Sequence, residues 1–389
     1  MKMKNIIGLL VLSLSVGACG GSTKSDEVEK KVVVDQTAAE LGMKPEALQN
    51  FQLAIDELAK ERPDNSKAIQ ALETAVRLEP EFAEALYNLG ILQMRLGDAA
   101  SAESHLRSAR DIDPDALEYT VALARSLAVQ GKVDDAEPLF LEVVARDPDN
   151  LDAKNNLAVL ALQRGDQEKS LEYLQEILRE DDNNVAALKT MGIAYEQQNN
   201  ASLAKYMFNK AIKIDAKDPD LHNNLGLVYM KEENIPAAVQ AFQKAIEVDP
   251  NYLEARLNLG AILLKYLDYE RANEQFTEAV RIAPQHCVAR LGSGASSFAM
   301  AQHEKAVQDY EFFVSECDSK HVSSYERLAK LNESFLKQPA EAIKHYETLL
   351  TLVDDADKKT QYNAMINFLK TQTSQEAPKT PAPEAEPES

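Results

Sequence analysis

The feature that most limits what this chain can fold into is a period of 34 residues. Pro80, Pro114 and Pro148 stand 34 apart, and Pro250 and Pro284 fall in the same phase, with Asp182 and Ala216 at the two intervening positions. A small residue keeps step (Gly90, Ala124, Ala158, Gly192, Gly226, Gly260, Gly294), and so does a second one (Ala102, Ala136, Ser170, Ala204, Ala238, Ala272, Ala306). Four residues after the second stands a bulky side chain: Leu106, Phe140, Leu174, Phe208, Phe242, Phe276 and Tyr310. Self-similarity at this period marks a repeat architecture, in which each unit stacks on its neighbours because it cannot bury its faces alone. With no Trp, only 14 Gly in 389 residues and an abundance of strong helix formers, the units are expected to be helical and the protein all-α.

Each unit reads as two antiparallel helices. The small residues let the two backbones approach, and the bulky residue fills the seam between them. Gly97, Gly131, Gly165 and Asn199 are expected to end the first helices in a left-handed cap conformation. The recurrent Pro, which cannot extend a helix interior, marks the boundary to the next unit.

This pattern resembles the tetratricopeptide repeat, whose signature is W-x2-L-G-x2-Y, then A-x3-F, A and P. Leu89-Gly90, Leu225-Gly226 with Tyr229, and Leu259-Gly260 carry its first half, and Ala211, Ala245 and Ala279 its third small position. Leu86 and Leu188 stand where the family has an aromatic. The resemblance implies a right-handed superhelical solenoid. We expect about nine helix-turn-helix units over residues 38–370, firm over 83–320 and degenerate at both ends. Residues 49–82 keep Ala68, Leu72, Ala75 and Pro80 but carry Asp56 at the Gly position. After residue 320 the phase slips by two, with Ala342, Tyr346 and Leu349 in second-helix positions, and an amphipathic stretch over 357–370 (Tyr362, Ile366, Leu369) reads as a capping helix.

The ends carry different information. Lys2 and Lys4 precede an apolar run from Ile6 to Leu14, too short to span a bilayer but suited to the core of a secretory signal. Val16-Gly17-Ala18-Cys19 then resembles a bacterial lipobox, which implies removal of residues 1–18 and acylation of Cys19. Several acyl chains give stable anchoring where one does not. Gly20 stands where an Asp would suggest retention in the inner membrane, so the outer membrane, facing the periplasm, is expected. Residues 19–37 have the composition of a flexible tether, and the Pro/Glu-rich residues 371–389 that of a disordered tail.

No phosphate-binding loop, HExxH, CxxC or nucleophile-elbow motif is present, and the six His are scattered without metal-ligand spacing. The chain therefore reads as non-catalytic, with no cofactor, metal or small-molecule substrate, and its net charge of -21 makes nucleic acid a poor partner. Cys287 and Cys317 open and close one unit at the same end of its helix pair, so they form a disulfide or remain two separate thiols.

In the tetratricopeptide family the first helices line a concave groove. Asn88, Asn156, Asn224 and Asn258 occupy the sixth position of those helices, with Asn155 and Asn223 beside them at the fifth. Each amide offers both donor and acceptor, so such a row suits an extended peptide backbone and resembles the asparagine ladder of some peptide-binding repeat proteins. Ala122, Thr190 and Gly292 interrupt it. The second position is acidic (Glu84, Glu118, Asp152, Asp220, Glu254), whereas the thirteenth carries Arg95, Lys231 and Lys265, so the rims differ in sign. The expected function is a lipid-anchored scaffold that binds proteins of an envelope machine. Lipoproteins of this build resemble type IV pilus pilotins and components of gliding-motility complexes. A periplasmic chaperone, or a regulator of an envelope enzyme, is the alternative.

Overall fold

The computed structural model describes residues 37–60 and 62–376. The expected signal segment, the acylation candidate Cys19, the tether up to residue 36 and the tail from residue 377 lie outside the described residues. Among the described residues there is no strand.

After helical residues 37–41 come α1 (Pro45–Leu58) and α2 (Asn65–Leu78), followed by α3 (Ala83–Arg95), α4 (Ala99–Ile112), α5 (Leu117–Val129) and α6 (Val133–Arg146). Next are α7 (Leu151–Gln163), α8 (Gln167–Glu180), α9 (Val185–Gln197), α10 (Ala201–Ile214), α11 (Pro219–Lys231) and α12 (Ile235–Val248). The chain continues with α13 (Leu253–Lys265), α14 (Tyr269–Ile282), α15 (Cys287–Ala299) and α16 (His303–Phe312). It closes with α17 (Val322–Lys330), α18 (Pro339–Leu352) and α19 (Ala356–Glu376). From α3 to α15 the first helices start every 34 residues, as the period predicts. Among the described residues these make nine helix pairs and a final helix, a solenoid of helix-turn-helix repeats.

The chain divides into two compact units, which meet inside α9 at Ala194 and Tyr195. In the first, helices α1 to α8 each pack on the next, and α3, α5 and α7 also touch in succession. In the second, α10 to α19 do the same, and α13 meets α15.

The seams are built as the repeat requires. Ala102, Ala136, Ser170, Ala204, Ala238, Ala272 and Ala306 are all fully buried, and the bulky residue one turn later is at most 2% exposed in every unit. Close approach is what the small residues provide. A Cβ on Gly226 would lie 2.6 Å from the Phe242 ring.

From α3–α4 to α17–α18 the turns between paired helices share one left-handed position. Gly97, Gly131, Gly165 and Asn199 have φ of 85°, 75°, 78° and 59°, the left-handed caps expected of them. The same site is left-handed in the following units although it holds Glu233, Leu267, Ala301 and, after the phase slip, Lys337. One residue further on, Asp98, Asp166, Asn200, Asn234 and Asp268 cap the second helix by accepting a hydrogen bond from the backbone N–H three residues later.

Two π-helical turns, Phe313–Cys317 and Leu331–Phe335, extend α16 and α17. A π turn adds one residue without adding a turn. The first moves the start of the next first helix to Val322, one past the period, and the second moves α18 to Pro339, two past it. The slip of two is thus absorbed inside helices, and the seam continues in Ala342, Tyr346 and Leu349, all buried.

The last helix corrects one expected boundary. The helix expected over 357–370 runs from Ala356 to Glu376, six residues into the stretch read as tail. Thr373 supports the extension by donating to the carbonyls of Leu369 and Lys370, a local bond that composition does not reveal. At the other end, Thr37, the last residue of the expected tether, is the first described residue and is already helical, and Ala38 is fully buried.

Candidate functional site

The candidate surface is the face of the first helices that bears their second, fifth, sixth, ninth and thirteenth residues. The structure divides the asparagine row on this face into three kinds of residue. In α3 and α7 the amide turns back on its own helix: Asn88 Nδ2 donates to the Glu84 carbonyl and Asn156 Nδ2 to the Asp152 carbonyl, both at 2.7 Å. Each keeps an oxygen and a second hydrogen for another partner. In two places the amide joins successive first helices. Thr190 Oγ1 donates to Asn155 Oδ1 and Asn258 Nδ2 donates to Asn223 Oδ1, both at 3.0 Å and both 35 residues apart. Asn224 is partly buried on α11.

Thr190, which interrupts the amide row, makes a bond of the same register as Asn258. The hydroxyl of Thr190 occupies the same place in the first unit that Asn258 occupies in the second, fifth residue bonded to sixth residue of the next helix. Asn155 and Asn223 are therefore committed to the fold, and Asn223 is buried at 6% exposure.

The charged rims are also partly consumed. Lys231 Nζ meets the Glu196 carboxylate at 2.8 Å and donates to its carbonyl at 3.0 Å, and Arg125 lies 3.6 Å from Asp152. The Tyr252 hydroxyl donates to Asp220 at 2.7 Å, and burial together with that carboxylate drives the phenol pKa far upward.

Sequence reasoning missed two cavities on this face, one within each unit, that stand out among the described residues. The first, of about 440 Å³, has Tyr87, Ile91 and Val121 in its wall and four carboxylates at Asp115, Glu118, Asp147 and Asp152, with Arg125 as its one cation. The second, of about 460 Å³, is walled by α13, α15, α17 and the Phe276 and Tyr310 rings, and its ionisable side chains other than Tyr310 are Lys265, Arg327 and His321. Gly292 lines the second cavity. A Cβ there would lie 2.2 Å from the Phe276 ring, so only glycine lets α15 rest on that ring. Gly292 stands at the position where α3, α7, α11 and α13 carry Asn.

The walls of the second cavity are well fixed. Cys287 and Cys317 form a disulfide, with their Cα atoms 5.7 Å apart, tying the start of α15 to the end of the first π turn. The buried Asp309 carboxylate accepts from Arg290 at 2.8 Å and from the Ser293 hydroxyl at 2.6 Å, holding α16 to α15. Burial pushes Tyr310 up to about 12, with Arg327 opposing, so its hydroxyl stays protonated at neutral pH. Among the described residues no group of three or more His, Cys, Asp or Glu is placed to hold a metal ion, and no helix is long and apolar enough to cross a membrane.

Models described as tetratricopeptide repeat match residues 51–116, 121–185, 219–252 and 241–308, and one described as TPR repeat matches 196–232. Among solved structures, the chain is similar to that reported as the functional characterization of Pseudomonas aeruginosa pilF. The identity is 21%, with 57% of this chain and 99% of that one covered, at a TM-score of 0.47. It is also similar to Cut9–Hcn1, a hetero-tetramer of the APC/C, at 16% identity and a TM-score of 0.50, covering 69% of this chain and 52% of that one. A thermophilic TPR protein of Thermus thermophilus is 23% identical, with 47% of this chain and 99% of that one covered, at a TM-score of 0.45. No curated protein matches the chain. With repeat models covering more than half of its length on a fold of consecutive helix pairs, the chain belongs to the tetratricopeptide-repeat family.

Proposed function

We propose that the protein is a lipid-anchored scaffold of the bacterial outer membrane, facing the periplasm, that gathers partner proteins on the first-helix face of its repeats. Tetratricopeptide-repeat proteins bind other proteins, and the observation that carries the reading here is the pair of cavities of opposite charge on that face. A catalytic constellation would converge titratable groups on one reacting atom. The second cavity presents a mostly apolar wall with Lys265 and Arg327, and the first a largely acidic one, the arrangement of a surface that selects segments of other proteins.

Anchoring follows from the lipobox-like Val16-Gly17-Ala18-Cys19, with residues 1–18 as the removed signal, and from Gly20 as the sorting position. The Cys287–Cys317 disulfide supports an oxidising compartment such as the periplasm. The assembly served is of the envelope type, such as a gliding-motility or type IV pilus complex. The carrier alternative, an amide ladder holding any extended backbone, is weakened because Asn155, Asn223 and Asn258 bond within the fold.

Labelling cells with a palmitate analogue and fractionating their membranes tests the anchor. The intact protein should carry label in the outer membrane, and Cys19→Ala should abolish both label and membrane retention. Unlabelled protein that stays in the membrane would overturn the anchoring half of the proposal.

A further inference from the structure

Three properties of the second cavity together describe a ligand. Its wall is apolar, formed by Leu264, Val288, Leu291, Ala295 and the Phe276 ring, and Val288 is 56% exposed at the mouth. Its fixed charges are all positive: Lys265 on α13 and Arg327 on α17, the first helices before and after α15. No acidic side chain lines it, in a chain whose net charge is -21. Finally, Tyr310 lines it while only 1% exposed, and its buried hydroxyl has no hydrogen-bond partner among the described residues. Buried donors are rarely left without an acceptor, and this one belongs to a residue of the cavity wall.

We propose that this cavity docks a segment of a partner protein in which an apolar side chain stands beside an Asp or Glu. The apolar group packs against Leu264, Val288, Leu291 and Ala295, and the carboxylate meets Arg327 and Lys265. The proposal rests on the reading of the chain as a protein-binding scaffold. The acidic cavity of the first unit, with Asp115, Glu118, Asp147 and Asp152, repels the same segment, so the two sites sort partners by charge. The protein's own residues 377–389 carry Glu384, Glu386 and Glu388, but their apolar residues are only Ala and Pro, too small to fill about 460 Å³.

The test is selection of phage-displayed random dodecapeptides on the full-length protein, followed by fluorescence anisotropy with the enriched peptides. Lys265 and Arg327 are exposed, so Lys265→Glu with Arg327→Glu leaves the fold intact, which circular dichroism checks. We expect enriched peptides to pair Leu, Ile, Met or Phe with Asp or Glu. Their affinity should fall by about tenfold or more on the double charge reversal, and stay within about threefold for Arg327→Lys. Changing the peptide's Asp or Glu to Asn or Gln should cost a similar factor.

Enriched peptides without acids, or affinity indifferent to the charge reversal, would overturn the proposal. If binding instead depends on Arg125 or Asp152, this site falls while the scaffold reading stands. If no peptide is enriched, both fall. A chain ending at Glu376 that binds about tenfold tighter would give the cavity to the protein's own tail. Self-association abolished by the charge reversal would give it to a second copy. Either of these results also overturns the proposal.

Discussion

Gly131 and Leu267 occupy the same turn position four repeats apart, with φ of 75° and 64°, and exchanging their chemistry isolates one energy term. A Cβ on Gly131 would meet nothing within 4 Å, and the Leu267 side chain is 67% exposed, so neither substitution changes core packing. A side-chain-bearing residue in the left-handed region costs roughly 1–2 kcal/mol. The greater freedom of glycine in the unfolded chain offsets roughly 0.5–1 kcal/mol of that. Gly131→Ala should therefore destabilise by about 1 kcal/mol, and Leu267→Gly should stabilise by about 0.5–1 kcal/mol. Urea denaturation followed by far-ultraviolet circular dichroism reads both, with unchanged denaturant slope and midpoints moving in opposite directions. Two shifts of the same sign, or a destabilised Leu267→Gly, would refute the argument that the turn geometry is imposed by the repeat and not chosen by the residue.

Reducing the Cys287–Cys317 disulfide, or replacing both residues with Ser, removes a cross-link across a sequence separation of 30 and should cost about 3–4 kcal/mol on the chain-entropy estimate; the loss is read as an earlier denaturation midpoint. Glu103 is held down to about 2 by Lys132 and Arg107, so its stabilising share is complete above the normal carboxylate range and fades as pH falls from 4.5 toward 2. Glu103→Gln should cost about 1 kcal/mol at pH 7, and the gap to the unmodified protein should narrow across that window. Asp309→Ala strips the buried partner from Arg290 and Ser293 and should cost about 3 kcal/mol, measured the same way.

Most of the fold was legible because it repeats. Seven in-phase copies of a small residue and a bulky one average out local ambiguity, and the helix starts from Ala83 to Cys287 fall where the period puts them. The left-handed turns at Glu233, Leu267 and Ala301 were not legible, because those residues have no preference for that conformation and adopt it under the packing of the flanking helices. The phase slip was visible, but its construction from two π turns was not, since a π turn has no sequence signature of its own.

The candidate site was read less well. Thr190 completes a bond that an asparagine makes elsewhere, and recognising this needs the distance to Asn155, 35 residues away. The basic cavity is assembled from residues of α13, α15 and α17 with the side chains of Phe276 and Tyr310 from α14 and α16, far apart in the sequence. Patterns of residues that are present reveal rows and stripes; a cavity is defined by what is missing between them.

The central claim, that partners are held on the first-helix face, is tested most directly by photocrosslinking in intact cells from single benzoylphenylalanine residues. Val129 and Ala261 place the probe on first helices, and Leu141 and Tyr206 place it on exposed positions of second helices. Protein adducts formed from Val129 or Ala261 and not from Leu141 or Tyr206 are the predicted result. Adducts confined to Leu141 and Tyr206 would contradict it.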